Sequence, residues 1–290
     1  MDAKICTMIN DLEVAPNEAV ISIFDLGLTR GLAVFEMLRT YNGKPFGLRE
    51  HIERLIISAK SLNLKIENSI EEIELRVNHL LRKRGDTEST IRMVLTGGMT
   101  TDRILPNGSP NLIIAVYPLE KVEESLYING IQLMSVPNSR IMPTIKSTHY
   151  FPAILSIQQA RVKGFDDILY RLEDDRITES STSNLFFIKN GTLYTPNEHI
   201  LPGITRQSII DYFKVSMDIK VCDIYYDQLP QFDEAFSTSS IKEIMPISQI
   251  DEITYTSADH NSITHKMMKE YQSLVFGEKT SLVSAQASTT

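Results

Sequence analysis

The stretch Thr178-Glu179-Ser180-Ser181-Thr182-Ser183-Asn184-Leu185-Phe186-Phe187-Ile188-Lys189-Asn190-Gly191-Thr192-Leu193-Tyr194-Thr195 places a β-hairpin in the second half of the chain. Leu185 to Lys189 is an apolar run of strand length. Asn190-Gly191 is the dipeptide that most readily adopts the left-handed conformations of a tight two-residue turn, and Thr192 to Thr195 returns as the second strand. Downstream, Leu201-Pro202-Gly203-Ile204-Thr205 leads into a helix over Ile204 to Phe213. Upstream, Asp167 to Leu172 is a further strand, preceded by a helix from Tyr150 to Lys163 with Ile154, Ile157 and Ala160 as its apolar stripe.

The same alternation governs the first part of the chain. Val20 to Ile23 and Ala33 to Tyr41 read as strands, and Asn42-Gly43-Lys44-Pro45 as a hairpin turn. Ile52, Leu55, Ile56 and Ala59 fall at helical spacing over Arg49 to Leu62. A second helix covers Ile70 to Arg84, with Ile73, Val77, Leu80 and Leu81 inward and basic residues at the end that suit the dipole. Thr90 to Leu95 and Asn111 to Tyr117 are strands on either side of a loop rich in Gly and Pro. Beyond the hairpin region, Glu234 to Ser237 is a strand and Ile263 to Phe276 a closing helix. The composition shifts at Pro118, which divides the chain into a domain over 1–118 and another over 119–278. A Ser-, Ala- and Thr-rich tail over 279–290 is expected to be disordered.

Composition narrows the class. Hydrophobic residues make up 42% and charged residues 23% of 290, the ordinary usage of a globular protein large enough to fold without disulfides or metal. Cys6 and Cys222 are the only cysteines and have no cluster of histidines or cysteines near them, which argues against a disulfide framework and a zinc site. A formal net charge of −8 with no dense basic run argues against a nucleic-acid partner. No apolar stretch has the length of a membrane span, and no basic-then-apolar leader stands at the N-terminus. A cytoplasmic setting follows as the expectation.

Single residues leave their roles open. Lys146, between Met142-Pro143-Thr144-Ile145 and a helix, is either a surface cation or a partly buried amine suited to imine formation. The segment from Leu201 to Thr205 can hold an anion on the free N–H groups of a helix start, and Ser237-Thr238-Ser239-Ser240 offers hydroxyls just after a strand, but ordinary caps and turns use the same residues. Arg54 can be the cation of such a site or a solvated helix residue.

In order, these pieces acquire a common meaning. Asp25-x-Gly27, Gly31-x-x-Val34-Phe35-Glu36 and His51-Ile52-Glu53-Arg54-Leu55 resemble the N-terminal half of the class IV aminotransferases. Lys146, the stretch from Thr178 to Phe186, Leu201-Pro202-Gly203-Ile204-Thr205-Arg206 and Ser239-Ser240-Ile241-Lys242-Glu243-Ile244-Met245-Pro246 resemble the C-terminal half. The resemblance runs from about Val20 to the closing helix. It implies an α/β fold of type IV, with a small N-terminal α/β domain and a larger pseudo-barrel domain carrying Lys146. It also implies pyridoxal 5′-phosphate (PLP) as cofactor, amino acids and 2-oxo acids as substrates, and a homodimer with active sites at the subunit interface.

The resemblance assigns roles residue by residue. Lys146 would hold PLP covalently and shuttle the proton, and Glu179 would pair with the pyridine nitrogen. Arg54, Ile204, Thr205 and Ser240 would hold the phosphate, and Tyr150 would donate to the ring oxygen. Phe35 and Ile241 would line the substrate side. The tyrosine that typical members carry before the Gly31 position is here Arg30, and their Tyr-Ile-Arg is here Thr90-Ile91-Arg92. The Arg-x-His pair of the Bacillus-type D-amino-acid enzymes is absent from the loop at Asp102-Arg103-Ile104. Two guanidinium groups sharing a pocket need an anion between them, so Arg92 with Arg30 of the partner subunit would form an α-carboxylate site. This resembles an atypical arginine-pair group of D-amino-acid aminotransferases. The alternative is a branched-chain aminotransferase. Aminodeoxychorismate lyases carry Thr-Thr where this chain has Glu36-Met37, and a non-enzymatic relative would leave Lys146 and Glu179 idle.

Overall fold

The computed structural model describes residues 5–85 and 87–277, so the expectation for the tail lies outside the described residues. The chain forms two compact units. The first contains the residues through Lys121 together with Ile145–Tyr150; the second contains Val122–Thr144 and the chain from Phe151 onward.

The first unit is built on six strands: β1 (Cys6–Ile9), β2 (Leu12–Val14), β3 (Ala33–Tyr41), β4 (Lys44–Pro45), β5 (Ser89–Thr96) and β6 (Leu112–Pro118). Their order is β2-β1-β6-β5-β3-β4, with every neighbouring pair antiparallel. Asn42 and Gly43 both have positive φ (50° and 72°), which matches the tight turn read from them, although Lys44-Pro45 already belongs to the returning strand. Helices α2 (Leu48–Ser61) and α3 (Ile70–Arg84) follow α1 (Leu26–Arg30). A reciprocal capping box between Ser69 and Glu72 starts α3. Ile52, Leu55 and Ala59 of α2 and Ile73, Val77 and Leu80 of α3 are fully buried in one core with Ile91 and Ile114. Each Ile, Leu or Val side chain so buried stabilises the unit by roughly 1.5–3 kcal/mol.

Val20 to Ile23 is not a strand. Ser22 turns the chain instead, its carbonyl accepting from Asp25 N and its hydroxyl from Phe24 N, and no strand pairs with this segment among the described residues. β-propensity without a partner strand did not decide the local structure.

The division of the chain also differs from the expectation in one instructive respect: the segment bearing Lys146 packs with the first unit. β4 covers only the Thr40–Tyr41 end of β3, and residues 146–148 take the free edge at its other end. Phe35 N donates to Lys146 O (2.9 Å), Thr148 N to Ala33 O (3.0 Å), and Val34 bridges Ser147.

The second unit contains α4 (Glu124–Asn129), β7 (Ile131–Pro137), α5 (Phe151–Val162), β8 (Asp167–Arg171), β9 (Ile177–Ser180), β10 (Asn184–Lys189), β11 (Thr192–Thr195), α6 (Ile204–Phe213), β12 (Ile219–Val221), β13 (Glu234–Ser239), β14 (Glu243–Ile250), β15 (Ile253–Thr254) and α7 (Ile263–Val275). The sheet runs β12-β11-β10-β13-β14-β7-β8-β9, and β9 returns to pair with β10, which closes a barrel-like ring. That closure is one residue pair, Asn184 opposite Glu179. Inside the ring Leu133, Leu169, Leu185, Phe187, Met245 and Ile247 form one buried cluster, while Phe186, Phe236 and Ile209 meet α7 in another. On α5 the buried residues are Ala153 and Ala160; Ile154 is half exposed and does not join the expected stripe. Small residues let this helix lie close to β7 and β8.

Candidate active site

β3 is a nearly continuous apolar strand interrupted by a fully buried carboxylate, Glu36. Its charge is met from α2. Arg54 donates from Nε to Oε1 and from Nη2 to Oε2, both at 2.7 Å, and His51 Nδ1 lies 2.6 Å from Oε2. His51 and Arg54 are three residues apart on a helix, so they share the face that lies over β3. Burial alone raises the Glu36 carboxyl, but the Arg54 charge and the bonds from Arg54 and His51 outweigh it and hold it at about 2. Burial also pushes His51 down, which keeps the imidazole neutral at pH 7 with its Nδ1–H donated to Glu36. The result fixes one edge of the Arg54 guanidinium and leaves its plane no freedom to turn. One turn further along α2, buried Ser58 accepts the backbone N–H of Lys146 at 3.3 Å.

Phe35, the residue before Glu36, points the other way across the pleat and gathers three candidate residues. The Lys146 Nζ lies 4.7 Å from its ring centroid, the Arg92 Cζ lies 5.5 Å from it, and the Tyr150 ring meets it edge-on at 5.8 Å. Arg92 faces Met37 across the β3–β5 ladder and is exposed. Arg30 is the last residue of α1 and is also exposed. Its Nη1 donates to Thr29 O at 2.8 Å, and it takes no part in the ring contacts of Phe35 among the described residues. The five-residue helix that carries it is held by buried Asp25, which accepts from Gly27 N, Thr96 Oγ1 and Asn111 Nδ2.

In the second unit the candidates surround the point where the ring closes. Glu179 is buried on β9. It accepts from Arg140 Nη1 at 3.0 Å on Oε1, and from Leu201 N at 3.0 Å and Asn184 Nδ2 at 3.3 Å on Oε2. Asn184 Nδ2 also donates to Leu201 O, which pins the loop that enters α6. Gly203 stands at the N-cap of α6 without a side-chain cap bond, and a Cβ there would fall 1.9 Å from Asn184 Oδ1. Glycine is therefore required for the loop to pass the asparagine. Ile204 and buried Thr205 are the first residues of α6. Ser240 and Ile241 lie in the tight connection between β13 and β14, where Ser239 Oγ accepts from Lys242 N. Just before them, the buried Thr238 hydroxyl has no hydrogen-bond partner among the described residues.

Sequence reasoning points to Lys146, Glu179 and Arg54 but not to the residues that hold them in place. Glu36 enters the sequence reading as the end of the Gly31-to-Glu36 motif and as the replacement of a threonine, although a lone carboxylate within an apolar strand signals a buried counter-charge. Arg140 was not singled out, and nothing in its local sequence distinguishes it. Among the described residues no group of His, Cys, Asp or Glu could hold a metal ion, Cys6 and Cys222 are free thiols, and no helix is long and apolar enough to cross a membrane.

Comparison with known proteins is consistent over the whole of this architecture. The pattern of the family "Amino-transferase class IV" matches residues 33–250. A Rickettsia felis protein named "Probable branched-chain-amino-acid aminotransferase" is 34% identical over 253 residues, covering 84% of this chain and 86% of its own. A Listeria innocua D-alanine aminotransferase is 32% identical over 269 residues, covering 90% and 92%. The crystal structure of a T.th. branched-chain amino acid aminotransferase with pyridoxamine 5′-phosphate superimposes with a TM-score of 0.86 at 27% identity, over 95% of each chain.

Proposed function

The chain belongs to the class IV aminotransferases and is a PLP-dependent transaminase, and from that premise we propose that it transfers amino groups between D-amino acids and 2-oxo acids as a cytoplasmic homodimer. The preference for D-amino acids rests on Arg30 standing where typical members carry a tyrosine, and the grouping around Phe35 supports Arg92 as a carboxylate partner. The amine of Lys146 and the guanidinium of Arg92 lie against the same ring. A substrate carboxylate bound by Arg92 is thereby kept within one ring's reach of the reacting lysine. Arg30 from a second copy completes the carboxylate site, and Phe35 and Ile241 line the substrate.

The residues present fit the cofactor. An uncapped helix N-terminus at Ile204 and Thr205, with an unpartnered buried hydroxyl at Thr238 among the described residues, is suited to a phosphate. A buried carboxylate at Glu179 is suited to a protonated ring nitrogen. When bound, PLP supplies a ring that takes up the electron pair released at the substrate α-carbon. Lys146 would hold the cofactor through its amine and, once released, would serve as the base and acid for the proton at the substrate α-carbon. Arg54, Ile204, Thr205 and Ser240 would bind the phosphate, Tyr150 would donate to the ring oxygen, and Glu179 would keep the ring nitrogen protonated.

The homodimer is supported by a surface of the first unit. Val20, Ile23, Phe24 and Leu28 are exposed, and so are Ile104 and Leu105 on the loop after β5. Leu26 N donates to Gly98 O, and Arg103 lies over the Phe24 ring, so the two segments adjoin and form an apolar face beside Arg30. A second reading, an L-branched-chain aminotransferase, is favoured by the names of several relatives and by the retained Ile91-Arg92 pair. The deciding measurement follows loss of the cofactor absorbance in single half-reactions with matched L- and D-amino acids. D-amino acids are expected to react faster; L-leucine or L-valine reacting faster than any D-amino acid would establish the second reading.

A further inference from the structure

Glu179 is not alone in its pocket. Both of its oxygens accept hydrogen bonds, and a charged donor among them is Arg140, whose Nη1 stands 3.0 Å from Oε1 with only 14% of its side chain exposed. Asn184 Nδ2 and Leu201 N, which donate to Oε2, are neutral. Arg140 comes from the loop after β7, 39 residues from Glu179, and Nη1 also donates to Pro143 O, which folds that loop under the carboxylate. Such a cation favours the carboxylate over the carboxylic acid, and its hydrogen bond fixes which oxygen lone pairs face outward.

We propose that Arg140 is a positioning residue that keeps Glu179 ionised and aimed, so that the proton shared between Glu179 and the cofactor's pyridine nitrogen stays on the nitrogen. This rests on the assignment of Glu179 to that nitrogen. A carboxylate without a neighbouring cation is the stronger base, and in a buried site it draws the shared proton to itself. The pair would then be a neutral acid and a neutral pyridine, and the ring would lose the charge that makes it accept electrons. The arginine thus weakens the basicity of Glu179 just enough for Glu179 to leave the ring charged. Proton number is conserved throughout: one proton changes its place between an oxygen and a nitrogen.

The test uses holoenzyme loaded with PLP labelled at the ring nitrogen with the heavy nitrogen isotope, and reads the nuclear resonance of that atom, whose position reports protonation. E179Q is expected to move the resonance far toward unprotonated pyridine. R140M is expected to move it in the same direction by a smaller amount and to slow the half-reaction by roughly tenfold. R140K, which keeps the charge and loses the planar fork, should lie between R140M and wild type. If R140M does not fold, R140K carries the test, with a displaced resonance as the expected result. A resonance at the wild-type position in the folded Arg140 variants, with E179Q displaced and only thermal stability lowered, overturns the proposal and leaves Arg140 a structural residue. An unmoved resonance in E179Q overturns the assignment of Glu179 itself, and the role of Arg140 falls with it.

Discussion

Two buried carboxylates in this protein each meet an arginine, and the two pairs are built differently. Glu36 receives the Arg54 guanidinium edge-on through two parallel bonds, with His51 completing its second oxygen. Glu179 receives Arg140 on one oxygen and two neutral donors on the other. In the first pair the carboxylate serves the arginine: its charge is spent in holding a cation in place. In the second, on the proposed assignment of Glu179 to the cofactor, the arginine would serve the carboxylate, tempering a charge directed at a ligand. The same two residue types thus act as anchor or as working group according to which other donors share the carboxylate.

The largest consequence should appear on removing the anchor's charge. Glu36→Gln leaves a buried guanidinium facing a neutral amide, and a broken buried ion pair costs roughly 3–5 kcal/mol of stability. Denaturant unfolding measures this, and PLP affinity should fall in parallel because Arg54 is no longer held. If stability drops while PLP affinity is unchanged, the anchor has no bearing on the cofactor. Glu179→Gln should invert the pattern. Arg140 stands to lose one charged bond where Arg54 stands to lose two, and the amide oxygen can still accept from Leu201 N, so folding suffers less, while the half-reaction loses about 3 kcal/mol of barrier lowering, as is typical when one preorganised electrostatic group is removed. Equal stability losses in the two variants would erase the distinction between anchor and working group.

Acid titration sharpens the comparison further. The folded Glu36 carboxyl is held at about 2 against an ordinary 4.5, so its contribution is fully present above pH 4.5 and is lost as pH falls toward 2. His51, pushed below 6.5 by burial, adds a loss that begins as pH falls through 6.5, since the unfolded chain takes up the proton first. Unfolding free energies measured from pH 7 downward should decline in both windows, and Glu36→Gln should flatten the lower one. The smallest effect is expected at Arg92→Ala. It should weaken every amino-acid substrate by about one to two decades and leave PLP binding and stability as they were. A loss confined to one side-chain class, read from the half-reaction concentration dependence, would remove Arg92 from the carboxylate site.

The sequence made some of this legible. Ile70–Arg84, with its strong period and capping box, and Ile204–Phe213, set off by Pro202-Gly203, coincide with the structure to the residue, because such signals are local. Lys146 and Glu179 are candidates that motif order singles out. Their supports were not, since each is a contact between elements distant in sequence: Glu36 with a helix 15 to 18 residues on, Arg140 with a strand 39 residues on, and the Lys146 segment on the open edge of β3. Val20–Ile23 failed for the complementary reason. Its β-branched residues favour a strand, but a strand needs a neighbour, and that depends on the whole sheet.

The ring of strands in the second unit is completed by one rung, Asn184 opposite Glu179. A ring closed so sparingly has a seam, and thermal fluctuation opens a seam before it opens the wall. Amide hydrogens on either side of it, over 177–185, should exchange with solvent through a local breathing motion far cheaper than global unfolding. A ligand that bound at Glu179 would hold that seam shut by mass action. Loading with cofactor is therefore expected to slow exchange over 177–185 more than elsewhere in the ring.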